Sequence, residues 1–144
     1  MLRKIGGVIA GYVAMFLCIF ALFTGAYLAL GPDGSFQPGT YEVSGLWVVL
    51  SLVVSVVAAL LGGLVCKLIG GAKAPLGLAV LVVILGVVSA IFERQRVVPP
   101  VRAANVGNLE AMQNAKQPIW IHLLMPVIGA VGVLAGARLK QEGR

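Results

Sequence analysis

Four long stretches without a formal charge constrain this chain more than any other feature. They run Ile5–Leu30, Val43–Cys66, Ala74–Phe92 and Gln117–Ala137, and tyrosine and cysteine aside, His122 is their only ionisable side chain. A hydrocarbon core about 30 Å thick is crossed by roughly 20 helical residues at about 1.5 Å each. Each stretch is therefore long enough to span. The expected fold is an all-α membrane protein, a four-helix transmembrane bundle with a short interfacial helix before the last span. The spans are placed at about 5–30, 44–67, 74–92 and 118–138, in one integral membrane domain covering 1–144.

Composition points the same way. Hydrophobic residues make up 60% of the chain and charged residues 11%, with a mean hydropathy of +1.02. Soluble domains carry about 45–50% and about 25% respectively. A net charge of +6 would suggest nucleic acid in a soluble protein, but here the basic residues flank the apolar stretches. That is where membrane proteins place charge that orients them, so no nucleic-acid partner is expected and the lipid bilayer is. Met1-Leu2-Arg3-Lys4 and the following apolar run resemble a secretory signal. The run is longer than the roughly 7–15 apolar residues of a signal, and Pro32 follows the Ala29-Leu30-Gly31 site, so an uncleaved first helix is expected.

With four spans both termini share a side. Arg3, Lys4, Lys67, Lys73, Arg138, Lys140 and Arg144 fall there, against Arg94, Arg96, Arg102 and Lys116 on the other, while the loop Gly31–Glu42 holds only Asp33 and Glu42. The balance favours cytoplasmic termini, although the Arg94–Arg102 cluster runs against it. Tyr27, Tyr41, Trp47, Phe92 and Trp120 fall at the opposite ends, as an interfacial belt would. Cys18 lies mid-span and Cys66 at a span end, a depth difference on the order of 15 Å. A disulfide needs Cα atoms closer than about 7 Å, so none is expected.

Small residues recur at four-residue spacing, giving flat strips on which another helix can sit closely. The first span has Gly7 and Gly11, then Ala21, Gly25 and Ala29. The second has two strips, Ser51-Ser55-Ala59-Gly63 and Ala58-Gly62-Cys66-Gly70, which argues for a central position. The last has Gly129, Gly132 and Gly136. The third, with Gly86 and Ala90 alone, is expected to face lipid most. Ser51 and Ser55 are expected to bond back to carbonyls four residues earlier, and Lys67 to reach up to the headgroups. Gly31-Pro32-Asp33-Gly34 should stop the first helix. In the polar segment 93–116, Asn108 is expected to cap a helix over Leu109–Lys116 that lies on the membrane surface through Leu109, Met112 and Ala115.

His122 is the one titratable candidate inside a span, about one turn in and two residues after Trp120. A neutral imidazole at headgroup depth is the expected state, with no second histidine or nearby cysteine to make a metal site. No stretch contains Asp or Glu, and no phosphate loop, HExxH or nucleophile elbow occurs. No catalytic residue, cofactor or metal is expected, and the chain is read as a non-enzyme.

Ile9-Ala10-Gly11-Tyr12, Gly39-Thr40-Tyr41-Glu42-Val43-Ser44-Gly45-Leu46-Trp47 and Asn105–Trp120 resemble stretches of small, uncharacterised bacterial four-span inner-membrane proteins. The resemblance implies a bacterial inner-membrane setting and no functional residues. The expected role is a helix-packing, scaffold or assembly subunit, acting as a homo-oligomer or with a membrane-protein partner. The alternative is a small transporter or channel subunit, an oligomer around Ser51, Ser55 and Gly63 with His122 near the mouth.

Overall fold

Each apolar stretch becomes a helix, and each helix ends where a residue cannot continue it. The computed structural model describes residues 1–139 and contains α1 (Leu2–Ser35), α2 (Gly45–Gly70), α3 (Ala74–Gln95), α4 (Asn108–Asn114) and α5 (Ile119–Arg138). All but α4 are long and apolar enough to cross a bilayer, so this is a multi-pass membrane protein built as a four-helix bundle. Lys140 and Arg144, counted above on the basic side, lie outside the described residues.

The expected break at Gly31-Pro32 is present as a kink. Gly31 takes φ 68°, a region open to glycine, and Pro32–Ser35 add one further helical turn. Ser44 caps α2, its hydroxyl accepting from the Trp47 N–H at 3.2 Å. Gly71, with φ 87°, ends α2, and its N–H donates to the Lys67 carbonyl. Pro75 sits in the first turn of α3, where its missing N–H costs nothing.

α2 lies between α1 and α5, and α3 packs on α5 and closes back against α1 and α2. The two strips of α2 serve two different neighbours. On one, a Cβ added to Gly7 of α1 would collide with the backbone of Gly70, and one on Gly11 would come within 2.7 Å of the Gly62 carbonyl oxygen. On the other, a Cβ on Gly63 would overlap the Val133 carbonyl, one on Gly136 that of Leu60, and one on Gly132 would press on Ala59. Met15, Ala59, Cys66, Leu78 and Val133 fill the space between the spans.

Several expectations need correction. Gly25 does not pack: a Cβ there would meet nothing within 4 Å, because α1 has no neighbour on that face. The glycines of α5 divide their contacts, Gly129 facing Val82 of α3 while Gly132 and Gly136 face α2. Ser51 bonds back to the Trp47 carbonyl at 2.7 Å, but Ser55 donates across to Met125 Sδ at 3.0 Å. Lys67 reaches a neighbouring helix end. Its ammonium donates to the Ala137 carbonyl at 2.6 Å and caps the end of α5, as Arg3 does for α2 through the Ile69 carbonyl at 2.9 Å. α3 is no more exposed than α1, and Gly86, which belongs to no full strip, admits Pro126 of α5. Both cysteines are free, Cys66 buried and Cys18 partly exposed.

These contacts predict opposite responses to the same change. Gly63→Ala should destabilise the bundle by at least the ~1–3 kcal/mol typical of overpacking. Gly25→Ala should leave it unchanged or raise stability by up to ~1 kcal/mol through helix propensity. Thermal unfolding in mild detergent reads both.

Candidate functional site

The end of the bundle opposite the described termini concentrates the polar chemistry. Two loops, which the sequence treats as separate, are knitted together there. The Gln37 N–H donates to the Glu42 carbonyl at 2.8 Å, and Phe36 pairs with Val43 as an antiparallel bridge. The Lys116 N–H donates to the Tyr41 carbonyl at 2.9 Å and the Val43 N–H to the Lys116 carbonyl at 3.1 Å. Ser44 fastens this hairpin to the last turn of α1 through the Gly34 carbonyl at 2.7 Å.

Arg102 holds the centre. Its side chain is 3% exposed, against 98% for its ion-pair partner Asp33 at 3.2 Å. A carboxylate so open to solvent gives little net attraction. The guanidinium is held instead by the Thr40 carbonyl at 3.0 Å and by the Phe36 ring, 5.5 Å from its carbon to the centroid, while Nη1 has no partner. Sequence reasoning counted Arg102 only in the charge balance. The available signal was a basic loop and an acidic loop on the same side of the membrane.

α4 roofs this end. Gly107, not Asn108, is its N-cap, and the helix stops at Asn114 because Ala115 turns extended and Lys116 joins the hairpin. Asn108 is the first helical residue and donates its amide to Thr24 of α1 at 3.2 Å. Ala111 is the buried residue of α4, while Leu109 is 69% exposed. Glu110 accepts from the Tyr41 hydroxyl at 3.1 Å. Tyr27 donates to the Val106 carbonyl at 2.6 Å. Tyr27, Tyr41 and Trp47 are therefore buried under the roof and do not form a lipid-facing belt, whereas Phe92 and Trp120 remain exposed. Between α1, α2 and α4 is a cavity of about 140 Å³ lined by Phe23, Tyr27, Phe36, Trp47, Asn108, Ala111, Met112, Ala115 and Gln117.

No family model, curated protein or solved structure matches this chain. Its chemistry has to be read from its own residues.

His122 lies beside this roof, on the flank shared by α3 and α5. The apolar run of α3 carries no charge, but the helix continues past it to Gln95 and holds Glu93 in its last turn. His122 Nε2 is 4.0 Å from Glu93 Oε1, with both side chains about one-fifth exposed. Glu93 is itself paired with Arg96 at 2.8 Å, and Arg96 donates to the Gln113 carbonyl at 2.7 Å and also to that of Ala115. The imidazole nitrogen has no closer partner. Among the described residues no group of three metal-binding side chains occurs. Of the small residues singled out in sequence, Gly7, Gly11, Ser51, Ser55, Ala59, Gly62, Gly63, Gly129, Gly132 and Gly136 all lie in helix contacts and none at this end's cavity.

Burial and the hydrogen bond to Glu110 raise the Tyr41 phenol above its ordinary value of about 10. The neutral phenol is thus favoured by the folded state. Its contribution is complete below about pH 10 and is lost as pH climbs through the raised value. The melting temperature in mild detergent should therefore fall at strongly alkaline pH, and Tyr41→Phe should lessen that fall.

Proposed function

We propose that the chain is a non-enzymatic membrane subunit that works by packing its first helix against another transmembrane helix. The observation behind this reading is the outer half of α1. Ala21, Gly25 and Ala29 form a small-residue strip that is exposed, while the other strips are consumed inside the bundle. Cys18 lies two turns before Gly25 and so on the same face. In lipid, where tails solvate leucine as well as leucine does, such a strip lets backbones approach and gains packing. The transport alternative is less favoured by the same geometry. Ser51 is fully buried and bonded within its own helix, Ser55 is bonded to Met125, and Gly63 is against Val133, so these residues are spent in the core.

Cys18 supplies the test, because Cys66 is buried. Thiol cross-linking from Cys18 in native membranes should yield a discrete product, of twice the chain's mass for a homo-oligomer and of another mass for a distinct partner. Gly25→Leu should abolish the product and leave the melting temperature unchanged. No product from the unaltered chain, or one indifferent to Gly25→Leu, would overturn the reading.

The setting belongs to the same proposal: a bacterial inner membrane with both termini in the cytoplasm. Its support is the basic excess beside the termini and two basic residues, Arg3 and Lys4, before α1. A reporter fused after Arg144 should read as cytoplasmic, and an external readout would reverse the topology.

A further inference from the structure

The cavity under α4 has the size and lining of a ligand site rather than of a packing fault. Its volume, about 140 Å³, is close to that of an apolar cavity known to take one benzene ring. Four aromatic residues contribute to the wall. Phe23 and Trp47 lie 5.4 Å apart at a 32° tilt, and Tyr27 stands edge-on to Trp47 at 6.4 Å. Such rings favour another ring set offset or edge-on at similar separations.

The polar part of the lining narrows the choice. The Tyr27 hydroxyl is committed to Val106 and the Asn108 amide nitrogen to Thr24. Asn108 Oδ1, in the lining, is buried without a partner, and neither the Gln117 amide nor the Trp47 indole N–H, both also in the lining, makes a side-chain hydrogen bond among the described residues. The Gln117 amide can donate or accept, and the indole donates only. A hydroxyl complements both, accepting from an N–H and donating to a carbonyl oxygen. A carboxylate or phosphate would have to leave water for an apolar site without a charged partner in its lining.

We propose that this cavity binds a phenol-class molecule, a single aromatic ring bearing a hydroxyl. The cavity lies at the end of the spans, at the level of the membrane interface, where amphipathic rings concentrate. This inference is independent of the packing role, since the Ala21-Gly25-Ala29 strip contributes nothing to the lining.

The test uses the full chain in phosphatidylcholine nanodiscs with Trp120→Phe, which leaves Trp47 as the only indole. 4-Methylphenol should change Trp47 emission saturably. Ala111→Phe, which fills the cavity, should leave only a linear partitioning response. Gln117→Leu should weaken 4-methylphenol by about 2–10-fold, the worth of one hydrogen bond, and leave toluene unaffected. Far-UV circular dichroism checks that both variants fold; if Ala111→Phe does not, Gln117→Leu alone decides. A linear response in the parent protein would overturn the proposal. So would equal binding of toluene and 4-methylphenol together with no effect of Gln117→Leu, which would mark an apolar void open to lipid chains.

Discussion

Lipid tails cannot squeeze helices together as water does, so this bundle depends on backbones being allowed to touch. α2 meets α1 and α5 along lines where one or both partners lack a side chain: Gly7 on Gly70, Gly63 on Val133, Gly136 on Leu60. Close approach brings many weak dispersion contacts into range at once. Everything else in the spans is arranged around those lines. Leu78 and Cys66 fill the interior that they leave, and Lys67 and Arg3 reach terminal carbonyls on neighbouring helices only because those helices are near.

The opposite end is held by different means. There a buried guanidinium, a two-loop hairpin and an aromatic cluster replace glycine contacts. Such groups retain their hydrogen-bonding strength near the interface, where unpaired backbone would otherwise be left without partners. Glu93, Arg96 and His122 extend the polar construction along the α3–α5 flank, where Arg96 ties the end of α4 to the carboxylate that faces His122 of α5.

The spans were legible because length and the absence of charge are local properties. The α2 strips were legible because spacing by four puts residues on one face. Gly25 shows the limit of that rule: spacing describes what a surface could accept, and only the arrangement of the other helices decides whether anything is there. Gly86 against Pro126 fails in the converse way, as a glycine outside a full strip that receives a neighbour's ring. Arg102, Tyr41–Glu110 and the Val43–Lys116 pairing join residues far apart in the chain, and no periodicity carries such contacts. A protonatable His122 could be seen in sequence; its facing Glu93 could not, because α3 outlasts its apolar run.

The Lys116 pairing also has a consequence for how the molecule is made. The Tyr41 carbonyl and the Val43 N–H are offered early, at the entrance to the second span, and their partner arrives only with the segment preceding the last one. During synthesis, the first hairpin of helices can enter the bilayer with that edge still hydrated. The roof closes when α4 has been made and brought alongside. The glycine seams can thus form in order of synthesis, while the polar end acts as a late clasp that closes only once the segment before the last helix has been made.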